Sequence, residues 1–211
     1  MVATEPTRER IVMTARRLFH EQGYAATGMA EILKAAKANS GSLYYYFKSK
    51  EELLLAVLDW YLENLMPEVM DPALGATSDP IERIFAVLAG YHEMLEQTAC
   101  TLGCPIGNLA LELGDSRPLV REKIALNFSN WCAVIRRCLD DAADRLPPGV
   151  DRERLSRFVL TVLEGGIMQA RGHRDVRPYD EAVAQLRDYF DRLLAEGTRA
   201  ADRNKGSGEM N

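Results

Sequence analysis

The sequence predicts an all-α protein in two parts, an amino-terminal three-helix domain of helix-turn-helix plan and a larger helical domain behind it. Three observations predict this. Apolar residues recur at the spacing of amphipathic helices through most of the 211 residues. Helix-starting signals, Ser49 to Glu52 as Ser-x-x-Glu and Asp79 before Pro80, stand in front of such runs. Two short helical segments joined by a turn of a few residues follow a longer one, which is the helix-turn-helix arrangement.

Residues 7–22 carry Ile11, Val12, Ala15, Leu18 and Phe19 at helical spacing, and Gly23 is placed to end the helix. A short helix over about 29–36 follows, with Thr27 or Gly28 as N-cap, Glu31 placed to return a capping contact to Gly28, and Ile32 and Leu33 as core face. After a tight connection at 37–39, a third helix covers 40–47. Its Leu43 and Phe47, four apart, point inward. The capping box at Ser49 and Glu52 opens a fourth helix through Leu53, Leu54, Val57, Leu58 and Leu62.

The stretch 39–52, Asn-Ser-Gly-Ser-Leu-Tyr-Tyr-Tyr-Phe-Lys-Ser-Lys-Glu-Glu, combines small hydroxyls, three successive tyrosines and two lysines. A buried helix would not display so many hydroxyls, and a solvated one would not use so many rings. A helix against a DNA backbone wants both, because hydroxyl and phenol groups donate to phosphate oxygens while lysines neutralise them. In the helix-turn-helix plan the second short helix enters the major groove, which offers Ser40, Ser42 and Tyr45 to base edges. The alternative is a packed three-helix unit whose tyrosines belong to an amphipathic core. Charge is uneven in the same sense. Residues 1–50 carry eight Lys and Arg against four Glu, a net +4, so with a total of −5 the remainder carries −9. Such a chain presents one end to phosphates and repels them elsewhere.

The run Gly23-Tyr24-x-Ala26-Thr27, then Ile32, Ala35-Ala36 and Gly41-Ser42-Leu43-Tyr44-x-x-Phe47-x-Ser49-Lys50-Glu51-x-Leu53, resembles the DNA-binding domain of TetR-family transcriptional repressors over residues 7–55. The resemblance implies an all-helical homodimer on a palindromic double-stranded operator, with a small-molecule inducer bound in the larger domain and the last two long helices paired with the partner. It implies that Tyr44 and Lys50 touch phosphates, within a DNA-facing set of Thr27, Ser40, Gly41, Ser42, Tyr44, Tyr45, Lys48 and Lys50. The family pattern has Gly where this chain has Lys37, and Ser or Thr where it has Gly28. A left-handed turn at Lys37 costs about 1 kcal/mol. The expected division is a DNA-binding domain over 1–50, a ligand-binding and dimerisation domain over 51–200, and a disordered tail over 201–211, where the residues turn polar and Gly-containing.

Beyond residue 65, Pro67, Asp71-Pro72 and 75–80 read as loop or broken helix and as the hinge between the domains. A long helix starts at Asp79-Pro80 and carries Ile84, Phe85, Val87, Leu88, Tyr91, Met94 and Leu95. Gly103 and Pro105 bracket Cys104, so one helix breaks here and another starts with Pro105 in its first turn. A thiol at that place meets unsatisfied N–H groups and a favourable helix dipole, which makes Cys104 either a sensor of electrophiles or oxidants or a small buried residue at a helix start. The segment is similar to the Gly-Cys-x-x-Gly-Asn-x-Ala-x-Glu stretch of a subset of TetR-like regulators, some of which respond to small reactive or aromatic compounds. Ser116 and Pro118 open a helix with Val120, Ile124, Phe128, Trp131, Cys132, Ile135 and Leu139, stopped by Pro147-Pro148. The expected ligand set is Phe85, Leu88, His92, Cys104, Asn108, Leu111, Phe128, Trp131 and Ile135, mostly apolar with a few polar groups to orient an occupant. The same stripe also reads as ordinary core.

The last two helices start at Asp151 and Pro178 and carry wide apolar faces. Gly165-Gly166 permits close approach, and Phe158, Gly166, Ile167, Leu186 and Phe190 form the expected dimer contact of a four-helix interface. Closure of a monomeric core by the same faces stays open. A 47% apolar content supports a core. No apolar run approaches the roughly 20 residues of a membrane span, and Glu5, Pro6 and Arg8 do not read as a signal peptide, so a cytoplasmic protein without a membrane partner is expected. Cys100, Cys104, Cys132 and Cys138, with His20, His92 and His173, fit neither a disulfide scaffold nor a zinc pattern, and no metal or cofactor is expected. Two function classes follow: a ligand-responsive DNA-binding repressor, with a cysteine-based sensor on the same scaffold as its variant, and a helical thiol-dependent enzyme. The second rests on Cys104 alone, with no Cys/His pairing or phosphate loop beside it, so no enzyme is expected.

Overall fold

The structure, a computed structural model, describes residues 6–64, 70–113 and 117–208. Among these it is all-helical: α1 (Thr7–Gln22), α2 (Met29–Ala35), α3 (Ser40–Tyr46), α4 (Lys50–Asn64), α5 (Asp71–Gly75), α6 (Pro80–Gln97), α7 (Pro105–Leu113), α8 (Pro118–Asp141), a 3-10 turn (Ala143–Arg145), α9 (Arg152–His173) and α10 (Arg177–Gly208). The chain forms two compact units, residues 1–65 with 102–129, and residues 66–101 with 130–211. A cut at residue 50 would strip α4 from α1, against which it packs. The first unit also takes in α7 and the start of α8.

In the first unit, α1 buries Ile11, Val12, Ala15, Leu18 and Phe19 along one stripe, α2 buries Ile32, and α4 buries Leu53, Leu54, Val57 and Leu58. Each of these side chains larger than alanine contributes about 2 kcal/mol of burial free energy. Arg16 lies 4.0 Å from the ring centre of Trp60, stacking α1 on α4. The start of α8 is fastened to α4 by polar contacts. Buried Asn127 donates to the Leu58 carbonyl at 3.3 Å, Lys123 pairs with Asp59, and Arg117 pairs with Glu51.

In the second unit, Asp79 caps α6, accepting from the N–H groups of Ile81 at 2.8 Å and Glu82 at 3.2 Å, with Pro80 in the first turn. Helix α6 does not run to Gly103. It ends earlier, at the left-handed pair Ala99 (φ 47) and Cys100 (φ 53). Such residues cost about 1–2 kcal/mol each. They are held by the Cys100 N–H on the Leu95 carbonyl at 2.7 Å and by Arg174 donating to the Cys100 carbonyl at 3.0 Å. Tyr91 and Trp131 pack with ring centres 5.4 Å apart. All four cysteines are free thiols, and burial pushes those of Cys100, Cys132 and Cys138 up in pKa.

Helices α9 and α10 pack against each other, and their burial corrects the expected dimer contact. Ile167, Leu186 and Phe190 are all buried in the core of their own unit, with the Phe190 ring 5.6 Å from that of Phe85. Gly166 serves the same core: a Cβ there would meet Cδ2 of Tyr179 at 2.9 Å. Tyr179 in turn donates its hydroxyl to the Leu88 carbonyl at 2.7 Å, and burial holds that phenol far above its usual pKa. Of the expected set only Phe158 faces outward. Helix α10 continues through Gly208, well into the stretch 201–211 expected to be disordered; residues 209–211 lie outside the described residues, as do Pro67 and Ser116. A short helix, α5, occupies part of the expected hinge.

Gly166→Ala should destabilise the fold by about 1–3 kcal/mol despite the gain in helix propensity, because the added methyl has no room. Gly172→Ala, where nothing lies within 4 Å of the new Cβ, should stabilise by about 0.5–1 kcal/mol. Urea unfolding of the two variants checks both signs.

Candidate nucleic-acid interface

The candidate interface is carried by α3 and the turns on either side of it. Helix α1 ends at Gly23 (φ 88), whose N–H donates to the Phe19 carbonyl at 3.1 Å. Gly28 is the N-cap of α2, with no side-chain cap. Glu31 does not reach back to Gly28; its carboxylate accepts from Gln22 at 2.9 Å. Thr27, read as part of the DNA-facing set, is fully buried. Its hydroxyl donates to the Gly23 carbonyl at 2.7 Å, so it fastens the loop between α1 and α2 from inside.

The turn between α2 and α3 is left-handed at Lys37 (φ 48), as the family pattern of glycine at this place leads one to expect. Asn39 then caps α3, its side-chain oxygen accepting the Ser42 N–H at 2.8 Å. Asn39 falls in the expected connection 37–39, although an Asn just before the Ser-Gly-Ser run carries the capping signal. Leu43 and Phe47 are buried at 0% and 3% exposure, while Tyr44, Tyr45 and Tyr46 stand at 52%, 75% and 39%. Ser40 and Gly41 are exposed and Ser42 half-buried. The arrangement therefore puts Ser40, Ser42, Tyr44 and Tyr45 on one accessible helix, and adds Tyr46, whose ring centre lies 5.0 Å from that of Tyr45.

Two lysines follow, and they differ. Lys48 is exposed, with its ammonium donating to the Tyr44 carbonyl at 2.8 Å. Lys50, the first residue of α4, turns inward: its ammonium donates to the Tyr24 carbonyl and lies 4.1 Å from the Tyr24 ring centre. Burial lowers its pKa, helped by Arg117 and opposed by Glu112. Burial likewise raises the Tyr24 phenol, with Glu51 and Glu112 adding and Arg117 opposing. At the start of α4, Ser49 Oγ accepts the Glu52 N–H at 3.1 Å, but the Glu52 carboxylate takes the N–H of Lys48, at 2.6 Å, one residue earlier than a strict capping box.

The expected ligand residues divide between the units. Cys104, Asn108, Leu111 and Phe128 belong to the first, and Phe85, Leu88, His92, Trp131 and Ile135 to the second. Leu111 is 79% exposed, on the outer side of α7. Cys104 is buried at the start of α7, its sulfur accepting the Gly107 N–H at 3.4 Å. Phe85 is packed against Phe190 and covered by Arg187, 3.3 Å from its ring centre, and Leu88 is buried. Half-buried His92 pairs with Asp180 at 2.8 Å. A cleft of about 540 Å³ does lie in the first unit, lined by Arg10, Met13, Arg17, His20, Lys37 and Tyr61 among others, and none of the nine expected ligand residues lines it. Among the described residues no group of His, Cys, Asp and Glu is placed to hold a metal ion, and no helix is long and apolar enough to cross a membrane.

Comparison with known proteins agrees with this geometry. Residues 11–57 match the family described as bacterial regulatory proteins, tetR family, and residues 80–186 match the tetracyclin repressor-like C-terminal domain. An uncharacterized HTH-type transcriptional regulator of Mycobacterium tuberculosis is 33% identical over 195 residues, covering 90% of this chain and 95% of its own. The HTH-type transcriptional repressor DhaR of a Mycobacterium species is 25% identical over 195 residues, covering 92% and 95%. A crystal structure of a TetR transcriptional regulator from Chloroflexus aurantiacus superimposes with a TM-score of 0.77 at 31% identity, covering 89% of this chain and 95% of that one.

The cap at Asn39 gives a direct check on the interface. Asn39→Ala should cost about 1 kcal/mol, and Asn39→Asp only a fraction of that, since aspartate caps as well as asparagine. Urea unfolding followed by circular dichroism measures both.

Proposed function

Because the chain belongs to the TetR family of bacterial regulatory proteins, we propose that it represses transcription as a homodimer on a palindromic operator and leaves the DNA when a small molecule binds within residues 80–186. It is a helix-turn-helix regulator of transcription. One observation carries the finer reading: α3 is anchored by the fully buried Leu43 and by Phe47, yet presents Ser40, Ser42, Tyr44 and Tyr45 to the outside with Lys48 beside them. Hydroxyls and phenols at that place donate to phosphates and base edges, and the lysine neutralises the backbone. Lys50, engaged on Tyr24, acts as an anchor of the loop behind the interface.

The match of residues 80–186 to the tetracyclin repressor-like C-terminal domain, a range that draws on both units, supports a ligand site carried by those residues. A reversible ligand fits better than a reactive thiol, since Cys104 is buried and its sulfur is engaged at the start of α7. For the dimer, the outward face of α9 and α10 replaces the expected set. Phe158 and Tyr189 are each 45% exposed with ring centres 5.8 Å apart, and Met168 is 58% exposed. Exposed aromatic and Met side chains on paired helices are the composition of an interface core.

In an unbiased selection of duplexes the protein should enrich a palindrome. Lys48→Ala should weaken binding to all sequences and reduce the salt slope by about one, while Tyr45→Ala or Ser42→Ala should change the preferred bases. Absence of any enriched sequence counts against the reading. Sedimentation tests the dimer separately: Phe158→Arg should give folded monomers, whereas Phe190→Arg should fail to fold. A wild-type chain that sediments as a stable monomer at micromolar concentration removes the dimer from the proposal.

A further inference from the structure

Glu112 lies on an exposed part of α7, off the face that buries Ile106, Leu109 and Leu113. Both its carboxylate oxygens are nevertheless committed. One accepts the Tyr24 N–H at 2.9 Å and the other the Ala25 N–H at 2.6 Å. These two consecutive peptide groups follow Gly23, at the place where α1 has ended and α2 has not begun, so no helix supplies them with acceptors. The carboxylate also lies over Gly23, 3.3 Å from where a Cβ would stand.

The same loop is held from its other side. The Lys50 ammonium donates to the Tyr24 carbonyl, and the Arg117 guanidinium, paired with Glu51, lies 5.4 Å from the Tyr24 ring centre. Residues 23–25 are thus gripped between an acid on α7 and a base at the start of α4, all within the first unit. The grip matters because this loop sets where α2 starts, and α2 leads directly into the turn before α3. Thr27 ties the loop back to the Gly23 carbonyl at 2.7 Å, which passes any shift of residues 23–25 to the beginning of α2.

We propose that Glu112 is a positioning residue for DNA recognition, its carboxylate setting operator affinity by fixing the Tyr24–Ala25 peptide groups. The proposal rests on the DNA-binding reading above and adds the element that regulates it. A carboxylate accepting two adjacent N–H groups is sensitive to small movements, since a hydrogen bond lengthened by about 1 Å is lost. A displacement of α7 by that amount therefore releases both peptide groups from Glu112 and leaves the loop to Lys50 and Thr27. Leu111, exposed, and Cys104, buried, lie on the same helix segment and play no part in the grip.

The test compares Glu112→Ala, Glu112→Gln and Asp59→Asn with the full-length wild type. Asp59→Asn removes the Asp59–Lys123 pair, an ion pair of the same unit that does not touch the loop. Three quantities are read: hydrogen exchange at the Tyr24 and Ala25 amides without DNA, affinity for the selected duplex by fluorescence anisotropy, and the melting temperature. Glu112→Ala should speed exchange at both amides about tenfold or more and weaken duplex binding about fivefold to tenfold. Glu112→Gln, which keeps one acceptor oxygen and the reach of the side chain, should fall between it and wild type, and it serves if the alanine variant does not fold. Asp59→Asn should leave both readings at the wild-type level. Unchanged exchange in the Glu112 variants overturns the grip. Faster exchange with affinity within about twofold of wild type overturns its coupling to DNA. Equal loss of affinity in Asp59→Asn assigns the effect to general destabilisation and overturns the proposal as well. If wild type binds no duplex, the DNA-binding reading itself has failed, and the exchange arm still reports on the grip.

Discussion

A seven-residue helix cannot hold itself together in water, because the cost of nucleating it exceeds what so few internal hydrogen bonds return. Helix α3 is such a helix, and three of its exposed residues are aromatic. Its persistence depends on the burial of Leu43 and Phe47 beneath it, four residues apart on one face. Much of the first unit follows from that need. Helix α1 packs against α3, Asn39 supplies the start, and the left-handed Lys37 supplies the sharp change of direction between α2 and α3. Freed from structural duty, the outward side chains of α3 can be chosen for what they touch.

The elements of the first unit were legible because each is announced locally. Gly23 ends α1 and Ser49 with Glu52 marks α4, as Pro80 behind Asp79 starts α6 in the second unit, so those boundaries fall within a residue or two of expectation. Contacts between distant positions were not legible in this way. Nothing near Glu112 in sequence announces Tyr24, and a threonine before a short helix reads as a cap whether its hydroxyl faces the helix or, as at Thr27, the loop interior. The tail misled for a related reason. Its polar composition resembles disorder, but the residues up to Asp202 include Ala, Glu and Arg, which extend a helix already begun.

The late helices show the limit of periodicity most clearly. A wide apolar face says that a helix is covered, not by what. Ile167, Leu186 and Phe190 satisfy the pattern of an interface and that of an internal core equally well, and only the third dimension assigns them inward. The glycine pair divides in the same manner: Gly166 makes room for Tyr179 of its own chain, while Gly165 has open space beside it. Phe158, Met168 and Tyr189 are the large apolar side chains that these two helices leave exposed, and the sequence presents them as no more apolar than their neighbours.

The two tryptophans are distributed so that each unit carries its own optical reporter. Trp60 sits under the Arg16 guanidinium at the contact of α1 with α4, and Trp131 sits against the Tyr91 ring in the second unit. An indole beside a cation and an indole beside a phenol emit differently, and each loses its special surroundings when its own unit opens. Intrinsic fluorescence of this chain is therefore spatially resolved without any label. A replacement of one tryptophan by phenylalanine leaves a spectrum that belongs to one unit alone, and the order in which the units lose structure becomes directly visible.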